Sequence, residues 1–283
     1  MLPSWIQDDL EVNGTRIHYT RTGRGEKPPL VLVHGFSDNG LCWTPVALAL
    51  EGEYDVIMPD MRGHGLSARV KPDEQVDMAA DLAELIRTLG LHRPIVGGHS
   101  MGAMVTYQIG VRFSELASAL ILEDPPWWLE QPVPLTPGVQ PAEEPFVTWA
   151  KGLRNQTLEE LLVAYREDHP DWPNELLRPM CESKKQLDTT VVDTMSKRLH
   201  LERTNWLATI GSIPHPMLVF TADPDLGAIV TPQAAAKARE LNPKVTLVHV
   251  PNVGHLIRFD NFPVFMNALR KFLKEVSRVE QAD

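Results

Sequence analysis

A serine flanked by glycines stands between two segments of different periodicity. Gly98-His99-Ser100-Met101-Gly102 follows a short apolar run and precedes a helical pattern. A sharp strand-to-helix turn needs glycine or another small residue at its flanks, because a Cβ there would strike the neighbouring strand or helix. Such a turn exposes the serine at a helix N-terminus, where the helix dipole favours developing negative charge. The arrangement predicts that Ser100 is the nucleophile of an acyl-transfer reaction.

His255 is the candidate base for this serine. It ends the segment PNVGH, residues 251–255, which follows the last predicted strand and precedes the last predicted helix. Loops at the carboxyl ends of parallel strands are where sites form in open α/β sheets, and a histidine held there can take the proton of the serine. His34 and His64 lie in turns with glycine and are predicted to hold loops. His99 is predicted to pack beneath the nucleophile.

Two backbone amides are the candidate donors of an oxyanion hole, because N–H groups stabilise charge without reorganising. The amide of Met101, directly after the serine, supplies one donor. The amide of Phe36, which follows His34-Gly35, supplies the other. Gly35 lets the backbone approach the substrate closely.

Six short apolar runs rich in β-branched residues predict the strands that position these groups. Each run is continuous rather than alternating, as in strands buried on both faces of a parallel sheet. An alternating segment at residues 16–23 predicts an antiparallel strand near the sheet edge. The six runs are residues 28–35, 54–60, 94–100, 119–125, 216–222 and 245–251.

Helical patterns lie between the runs, so strands and helices alternate as in right-handed βαβ units. An apolar stripe of helical period runs from Leu82 to Leu89 and ends at Gly90, a C-cap residue. Residues 101–113 and 264–276 show the same period. The chain between the strands is therefore predicted to be helical, which makes the fold class α/β.

One long stretch interrupts the alternation. Residues 126–206 contain no buried-strand pattern; they begin with a Pro-rich tract, which is typical of turns, and continue with helical segments such as 158–168. We predict that 126–206 form a helical cap inserted between the sixth and seventh strands of a core made of residues 1–125 and 207–283.

Four motifs, in this order, resemble the α/β-hydrolase fold superfamily. They are His34-Gly35-Phe36, the segment DMRGHGLS at 60–67, Gly98 to Gly102, and Gly254-His255. The likeness covers the chain apart from the cap, and it implies a mostly parallel eight-stranded sheet with helices on both faces. It also implies Ser–acid–His chemistry, for which no metal or organic cofactor is needed. Epoxide hydrolases and haloalkane dehalogenases are similar but use Asp where this chain has Ser100.

The acid of the predicted triad has more than one candidate. Members of this superfamily usually resemble Gly-x-x-Asp after the seventh strand, but here Pro224 takes that place, between Asp223 and Asp225. Some lipases, dehalogenases and lactonases keep the acid after the sixth strand, and Asp124-Pro125 is similar to the Asp-Pro of such lipases. The alternative for Asp124 is a structural carboxylate at the turn into the cap. We favour Asp124 over Asp223 and place Asp225 third.

Several other residues of suitable chemistry have a structural interpretation. Asp60 and Arg62 are predicted to hold the Asp-x-Arg-Gly-x-Gly loop through their own hydrogen bonds. Trp128, Trp149 and Trp43 are candidates for an apolar substrate pocket, and packing within a core is the alternative for each.

Composition excludes several classes of partner. The formal net charge of −10 argues against a nucleic-acid partner and against a polybasic membrane anchor. No apolar run is long enough for a membrane span, and the first residues lack a secretory pattern. Cys42 and Cys181 form neither a disulfide framework nor a zinc spacing, so a cytoplasmic location is expected. A monomer or a homodimer is expected. The adjacent Lys184 and Lys185 are expected on the solvated surface.

Together these features predict a serine hydrolase, a carboxylesterase or lactonase that cleaves a small ester or lactone through an acyl-enzyme. The nearest alternative is a carbon–carbon bond hydrolase of the meta-cleavage kind, which a basic side chain in the pocket would favour. A cofactor-free perhydrolase or haloperoxidase is a further alternative. A non-catalytic ligand receptor on the same fold belongs to a different class, and the presence of both Ser100 and His255 argues against it.

Overall fold

An eight-stranded sheet is the central element of this protein. The computed structural model describes residues 5–71, 74–129, 145–192 and 206–280. The strands are β1 (Ile6–Val12), β2 (Thr15–Arg21), β3 (Pro29–Val33), β4 (Asp55–Pro59), β5 (Ile95–His99), β6 (Ala119–Glu123), β7 (Met217–Thr221) and β8 (Val245–His249). Their order in the sheet is β1-β2-β4-β3-β5-β6-β7-β8. The first two pairs in that order are antiparallel and the rest are parallel, so the predicted mostly parallel sheet is confirmed.

Helices follow most of the strands and match the predicted positions. They are α1 (Thr44–Leu50), α2 (Met78–Thr88), α3 (Met101–Arg112), α4 (Pro145–Asn155), α5 (Leu158–Asp168), α6 (Asn174–Gln186), α7 (Trp206–Thr209), α8 (Pro232–Leu241), α9 (Ile257–Asp260) and α10 (Phe262–Glu280). Short 3₁₀ turns lie at Gly40–Trp43, Ser114–Leu116, Ile210–Ser212 and Pro224–Leu226. As predicted, α2 ends just before Gly90, which has a left-handed φ of 63°.

Successive residues of the buried strands pack into two cores on opposite faces of the sheet. In β3, Leu30 and Leu32 pack into one core, whereas Val31 and Val33 pack into the other. The core on the Leu30 side is covered by α1 and α10, and the core on the Val31 side by α2, α3 and α8. Helices therefore lie on both faces of the sheet, which explains why these strands are apolar at every position.

The last strand departs from its prediction. The apolar run at 245–251 predicted a strand buried on both faces, but β8 lies at the sheet edge with β7 as its neighbour. Thr246 and His249 are exposed, and Leu247 and Val248 are half-buried. A strand is buried on both faces only where other strands flank it and helices cover it. The order of strands in the sheet decides which strands have that environment, and an apolar run alone does not reveal the order.

Helices α4, α5 and α6 lie between β6 and β7, where the cap was predicted. Helix α5 spans the segment expected from its period and begins with a capping box between Thr157 and Glu160. The boundaries of the cap at 126 and 206 stay a prediction, since residues 130–144 and 193–205 lie outside the described ranges. Among the helices that the structure describes, each is too short or too polar to cross a membrane.

Candidate active site

Ser100 occupies a strained turn between β5 and α3. Its φ of 53° and ψ of −114° are unusual for a residue with a Cβ, and such strain is often stored at functional sites. Its N–H donates to the Glu123 carbonyl oxygen at 2.9 Å, and its own carbonyl oxygen accepts from the Met104 N–H at 3.1 Å. The turn is therefore fixed on both sides, and it places the serine at the N-terminus of α3.

The two glycines of the Ser100 turn are required by close backbone approach. A Cβ on Gly98 would collide with the carbonyl group of Gly102. A Cβ on Gly102 would collide with the carbonyl oxygens of Val33 and His34. The first turn of α3 thus packs directly on the end of β3, as the pattern of small residues around Ser100 predicted.

His255 is held by one of the two candidate acids. Its Nδ1 donates to Asp124 Oδ2 at 2.6 Å. The carboxylate accepts, so the proton of the neutral imidazole is on Nδ1, and Nε2 is the nitrogen available as a base. The His255 side chain is 29% exposed, whereas that of Asp124 is fully buried. A buried acid thus orients a histidine that solvent can still reach.

Asp124 is held in place by the backbone as well as by the histidine. It has a positive φ of 43° directly after β6. Its Oδ2 accepts from the Ile229 N–H at 2.8 Å, and its Oδ1 accepts from the Val230 N–H at 2.9 Å. With three donors on its two oxygens, the carboxylate has a single orientation relative to His255.

Asp223, the second candidate acid, lies against a different histidine. Its Oδ1 contacts His249 Nε2 at 3.0 Å, and its Oδ2 accepts from the Asn252 N–H at 2.7 Å. Asp225 lies in an exposed 3₁₀ turn. Neither of these two residues is brought to His255, so Asp124 has the geometry of a triad acid.

His99 connects the serine turn to the loop that carries His255. Its Nε2 donates to the His255 carbonyl oxygen at 3.0 Å, and the two rings lie 4.5 Å apart. Burial, together with the nearby His255, keeps the pKa of His99 well below its ordinary value. His99 is therefore a neutral spacer beneath the turn, as its position before Ser100 predicted.

The two predicted oxyanion donors lie at the ends of neighbouring strands. Val33 of β3 pairs with Gly98 of β5, and Phe36 and Met101 each follow these partners by three residues. A Cβ on Gly35 would lie 2.6 Å from His99 Nδ1, so the loop after β3 packs directly on the serine turn. Both amides thus lie at the carboxyl ends of the strands, as Ser100 does.

His34 and His64, which follow the carboxyl ends of β3 and β4, hold loops. His34 donates from Nδ1 to the Gly35 carbonyl oxygen at 2.8 Å and accepts at Nε2 from the Met61 N–H at 2.9 Å. His64 donates from Nδ1 to the Arg62 carbonyl oxygen at 3.1 Å. Burial lowers the pKa of both histidines, which fits the loop-holding role predicted for them.

Asp60 and Arg62 have the structural contacts expected of them. The Asp60 carboxylate accepts from the N–H groups of Gly40 and Leu66, each at 2.7 Å. Arg62 pairs with Asp81 at 2.8 Å and with Glu74 at 2.5 Å. Both side chains are thus occupied in fixing the loop after β4.

The three candidate pocket tryptophans differ in their surroundings. Trp43 is completely buried, and the guanidinium of Arg258 lies 4.0 Å from the centre of its ring. It belongs to the core covered by α1 and α10. The prediction of Trp43 as a pocket residue is therefore wrong, and the alternative of packing within a core is correct. Trp128 and Trp149 are 37% and 45% exposed and keep their place as candidates.

Lys184 is buried, in contrast to the surface position that the sequence predicted. Lys184 was expected on the surface with Lys185, but its side chain is 4% exposed and forms an ion pair with Asp38. It lies on the buried stripe of α6 that includes Leu177, Met180 and Cys181. That spacing of i, i+3, i+4 and i+7 was the signal for its burial.

Metal-binding clusters of three or more His, Cys, Asp or Glu side chains are absent from the part of the chain that the structure describes. Cys42 is buried, and burial raises the pKa of its thiol to about 12. The thiol accepts a hydrogen bond from Arg258 Nη2 at 3.2 Å. Its chemistry is therefore that of a packed core residue rather than of a nucleophile.

Comparison with known proteins gives a consistent result. The model of the family described as "Alpha/beta hydrolase family" matches residues 30–268. N-formylmaleamate deformylase from Pseudomonas putida is 27% identical over 269 residues, which cover 94% of this chain and 95% of that protein. 2-(Acetamidomethylene)succinate hydrolase from Mesorhizobium japonicum is 24% identical over 257 residues, 88% of this chain and 89% of that protein. The crystal structure of N-formylmaleamic acid deformylase from Pseudomonas putida S16 superposes with a TM-score of 0.75 at 26% identity, covering 93% of this chain and all of that one.

Proposed function

Because this chain belongs to the alpha/beta hydrolase family, we propose that it is a serine hydrolase that cleaves carboxylic esters or lactones through an acyl-enzyme. The observation that carries the proposal is the 2.6 Å bond from His255 Nδ1 to the buried carboxylate of Asp124. This bond fixes the tautomer that a general base requires, in a loop that contacts the strained turn of Ser100. The substrate is a small molecule.

In the proposed reaction, Ser100 Oγ attacks the acyl carbon while His255 Nε2 takes the hydroxyl proton. The tetrahedral intermediate then collapses, and the leaving oxygen takes that proton from the imidazolium. Water attacks the acyl-enzyme with His255 again as the base, and the acid and free Ser100 are released. Asp124 orients the ring and stabilises the imidazolium without taking the proton.

The amides of Phe36 and Met101 are the proposed donors to the negatively charged oxygen of the intermediate. Removing one such donor typically costs about 10²- to 10³-fold in kcat. The position of both residues at neighbouring strand ends supports this assignment. Trp128 and Trp149, which lie before and within the cap helices, are proposed to contact the apolar part of the substrate.

Amide hydrolysis is the second candidate function. The relative that matches 94% of this chain is named a deformylase, a protein that removes a formyl group from nitrogen. The same Ser100 and His255 would serve, with the imidazolium protonating a leaving nitrogen instead of an oxygen. Carbon–carbon bond hydrolysis and perhydrolysis stay as alternatives with the same nucleophile.

A paired substrate panel tests the proposal. Purified wild type and Ser100→Ala are assayed with p-nitrophenyl esters of two to eight carbons, a lactone series and N-formyl amides. We expect wild type to hydrolyse esters or lactones, to be labelled by a fluorophosphonate, and to lose both properties in Ser100→Ala. Amide cleavage without ester cleavage would favour the second candidate. If wild type and Ser100→Ala are equally inert and unlabelled, the chain is not a serine hydrolase.

A further inference from the structure

The cap and the loop after β3 are joined by a buried ion pair. Lys184 lies near the end of α6 and Asp38 lies in the loop after β3, and both side chains are 4% exposed. Beside them, Asn39 Nδ2 donates to Gln186 Oε1 at 2.9 Å. Two consecutive residues of the loop are therefore held by two residues of one cap helix.

Asp38 belongs to the same tight turn as the proposed oxyanion donor Phe36. The Asp38 N–H donates to the Gly35 carbonyl oxygen at 3.2 Å, which closes a turn around Phe36 and Ser37. Ser37 has a positive φ of 66° within this turn. The Gly35 carbonyl and the Phe36 N–H belong to one planar peptide group, so a displacement of Asp38 that breaks this hydrogen bond frees the Phe36 amide to rotate.

Neither the Lys184 ammonium nor the Asp38 carboxylate is stable as an unpaired charge at this degree of burial. A buried charge without its partner is strongly unfavourable, so a lone Asp38 carboxylate would move toward water. Burial is the largest single effect on the pKa of Lys184 and lowers it, but the charge and hydrogen bond of Asp38, together with Tyr165 and Cys42, outweigh burial, so the pKa is raised and the ammonium stays charged. The pair thus holds the turn against the cap as long as both charges are present.

We propose that Lys184 is a positioning residue that sets the Phe36 amide of the oxyanion hole by holding Asp38. The inference rests on the proposed function of Ser100. On this proposal the oxyanion hole is complete only when the cap helix α6 is docked on the loop after β3, so the cap takes part in transition-state stabilisation.

A substrate-binding role is the competing interpretation of Lys184, since an ammonium can hold a substrate carboxylate. The surroundings of the ammonium disfavour it. Asp38 already neutralises the charge, Met180 Sδ accepts from Nζ at 3.3 Å, and the ring of Tyr165 lies 5.7 Å away. These neighbours occupy the ammonium without a ligand.

The test compares Lys184→Met with Lys185→Met in kcat and KM for a matched pair of esters, one neutral and one bearing a carboxylate. Lys185 is the control because its Nζ donates to carbonyl oxygens within the cap, those of Arg154 and Gln156. We expect Lys184→Met to lower kcat about 100-fold for both esters with KM within about threefold, as for a displaced oxyanion donor. Affinity for a boronic acid transition-state analogue should fall in parallel, and Lys185→Met should resemble wild type.

The double variant Lys184→Met/Asp38→Asn removes the uncompensated charge, and we expect its kcat to recover to within about tenfold of wild type. It also carries the test if the single variant does not fold. A loss confined to KM for the anionic ester would make Lys184 a substrate-binding residue and overturn the proposal. A double variant no more active than Lys184→Met, or as inactive as Ser100→Ala, would overturn it too.

Amide hydrogen exchange separates failure of this inference from failure of the proposed function. Exchange at residues 35–39 should be faster in Lys184→Met than in wild type or Lys185→Met, whether or not an ester substrate is found. If wild type hydrolyses no substrate and is not labelled at Ser100, the proposed function fails, while the exchange data still decide whether Lys184 holds the loop. Unchanged exchange at 35–39 would refute the positioning role.

Discussion

Two His–Asp pairs lie at the ends of neighbouring strands, and only one of them has the geometry of a catalytic pair. After β6, Asp124 accepts from Nδ1 of His255 at 2.6 Å. After β7, Asp223 contacts Nε2 of His249 at 3.0 Å, and Thr221 Oγ1 contacts the other ring nitrogen at 3.2 Å. The first pair leaves Nε2 of its histidine available, whereas the second engages both nitrogens.

Burial separates the two pairs further. Asp124 is fully buried and His255 is 29% exposed, whereas Asp223 and His249 are 34% and 50% exposed. Water screens the second pair, and exposed ion pairs contribute little to stability. A histidine beside a carboxylate is therefore not enough to indicate a triad; the burial of the carboxylate and the ring nitrogen that it binds distinguish a candidate triad from a surface contact.

The residue before Asp124 is also a buried carboxylate with a fixed partner. Glu123 is fully buried and accepts from the backbone N–H of Arg258 at 2.9 Å and from its Nη1 at 2.7 Å. Arg258 also stacks on Trp43 and Phe259, 4.0 and 4.1 Å from their ring centres. Two consecutive carboxylates thus hold the segment that carries His255, which ties the histidine loop to β6.

The largest effect is expected at the buried acid. Asp124→Asn should lower kcat by about 10⁴-fold, because an amide cannot hold the imidazole in the required tautomer. The matched variant Asp223→Asn should stay within about tenfold of wild type. Steady-state kinetics on the best ester or lactone of the panel measure both.

The reverse result would contradict the assignment of Asp124 as the acid. If Asp124→Asn stays active while Asp223→Asn does not, the acid follows β7 as in the common superfamily pattern, and the buried pair is structural. Circular dichroism of both variants controls for loss of fold.

The second effect is on stability. Arg258→Met leaves the buried carboxylate of Glu123 without its ion-pair partner, and we expect the free energy of unfolding to fall by about 3–5 kcal/mol. The double variant Arg258→Met/Glu123→Gln should recover most of that loss, because no unpaired charge remains. Urea denaturation gives both values. A double variant as unstable as the single one would show that Arg258 acts through stacking on the aromatic rings instead of through charge.

Much of the fold follows from local sequence patterns. Continuous apolar runs predict strands covered on both faces, and the small residues at Gly98 and Gly102 predict the tight turn at Ser100, since both patterns depend on near neighbours in the chain. The burial of Lys184 also had a local signal, because Lys184 lies on the apolar stripe of α6. Its charge had favoured a surface position.

The rest depends on contacts between distant parts of the chain. Asp124 and His255 are 131 residues apart, and the choice between Asp124 and Asp223 rests on which strand end lies beside the histidine loop. The edge position of β8 and the burial of Trp43 depend likewise on strand order and helix docking. The catalytic roles themselves stay predictions that the variants above test.

The smallest expected effect is on the pH dependence of stability, and it comes from a buried histidine. Burial holds the pKa of His64 well below its ordinary value, so the unfolded chain binds a proton near pH 6.5 that the folded chain does not. The free energy of unfolding therefore falls as pH drops below about 6.5, by up to about 1.4 kcal/mol per pH unit for such a histidine. In His64→Gln this slope should be shallower by up to that amount. Urea titrations between pH 5 and 8 measure the slopes, and equal slopes in wild type and His64→Gln would mean that His64 accepts a proton within the folded protein.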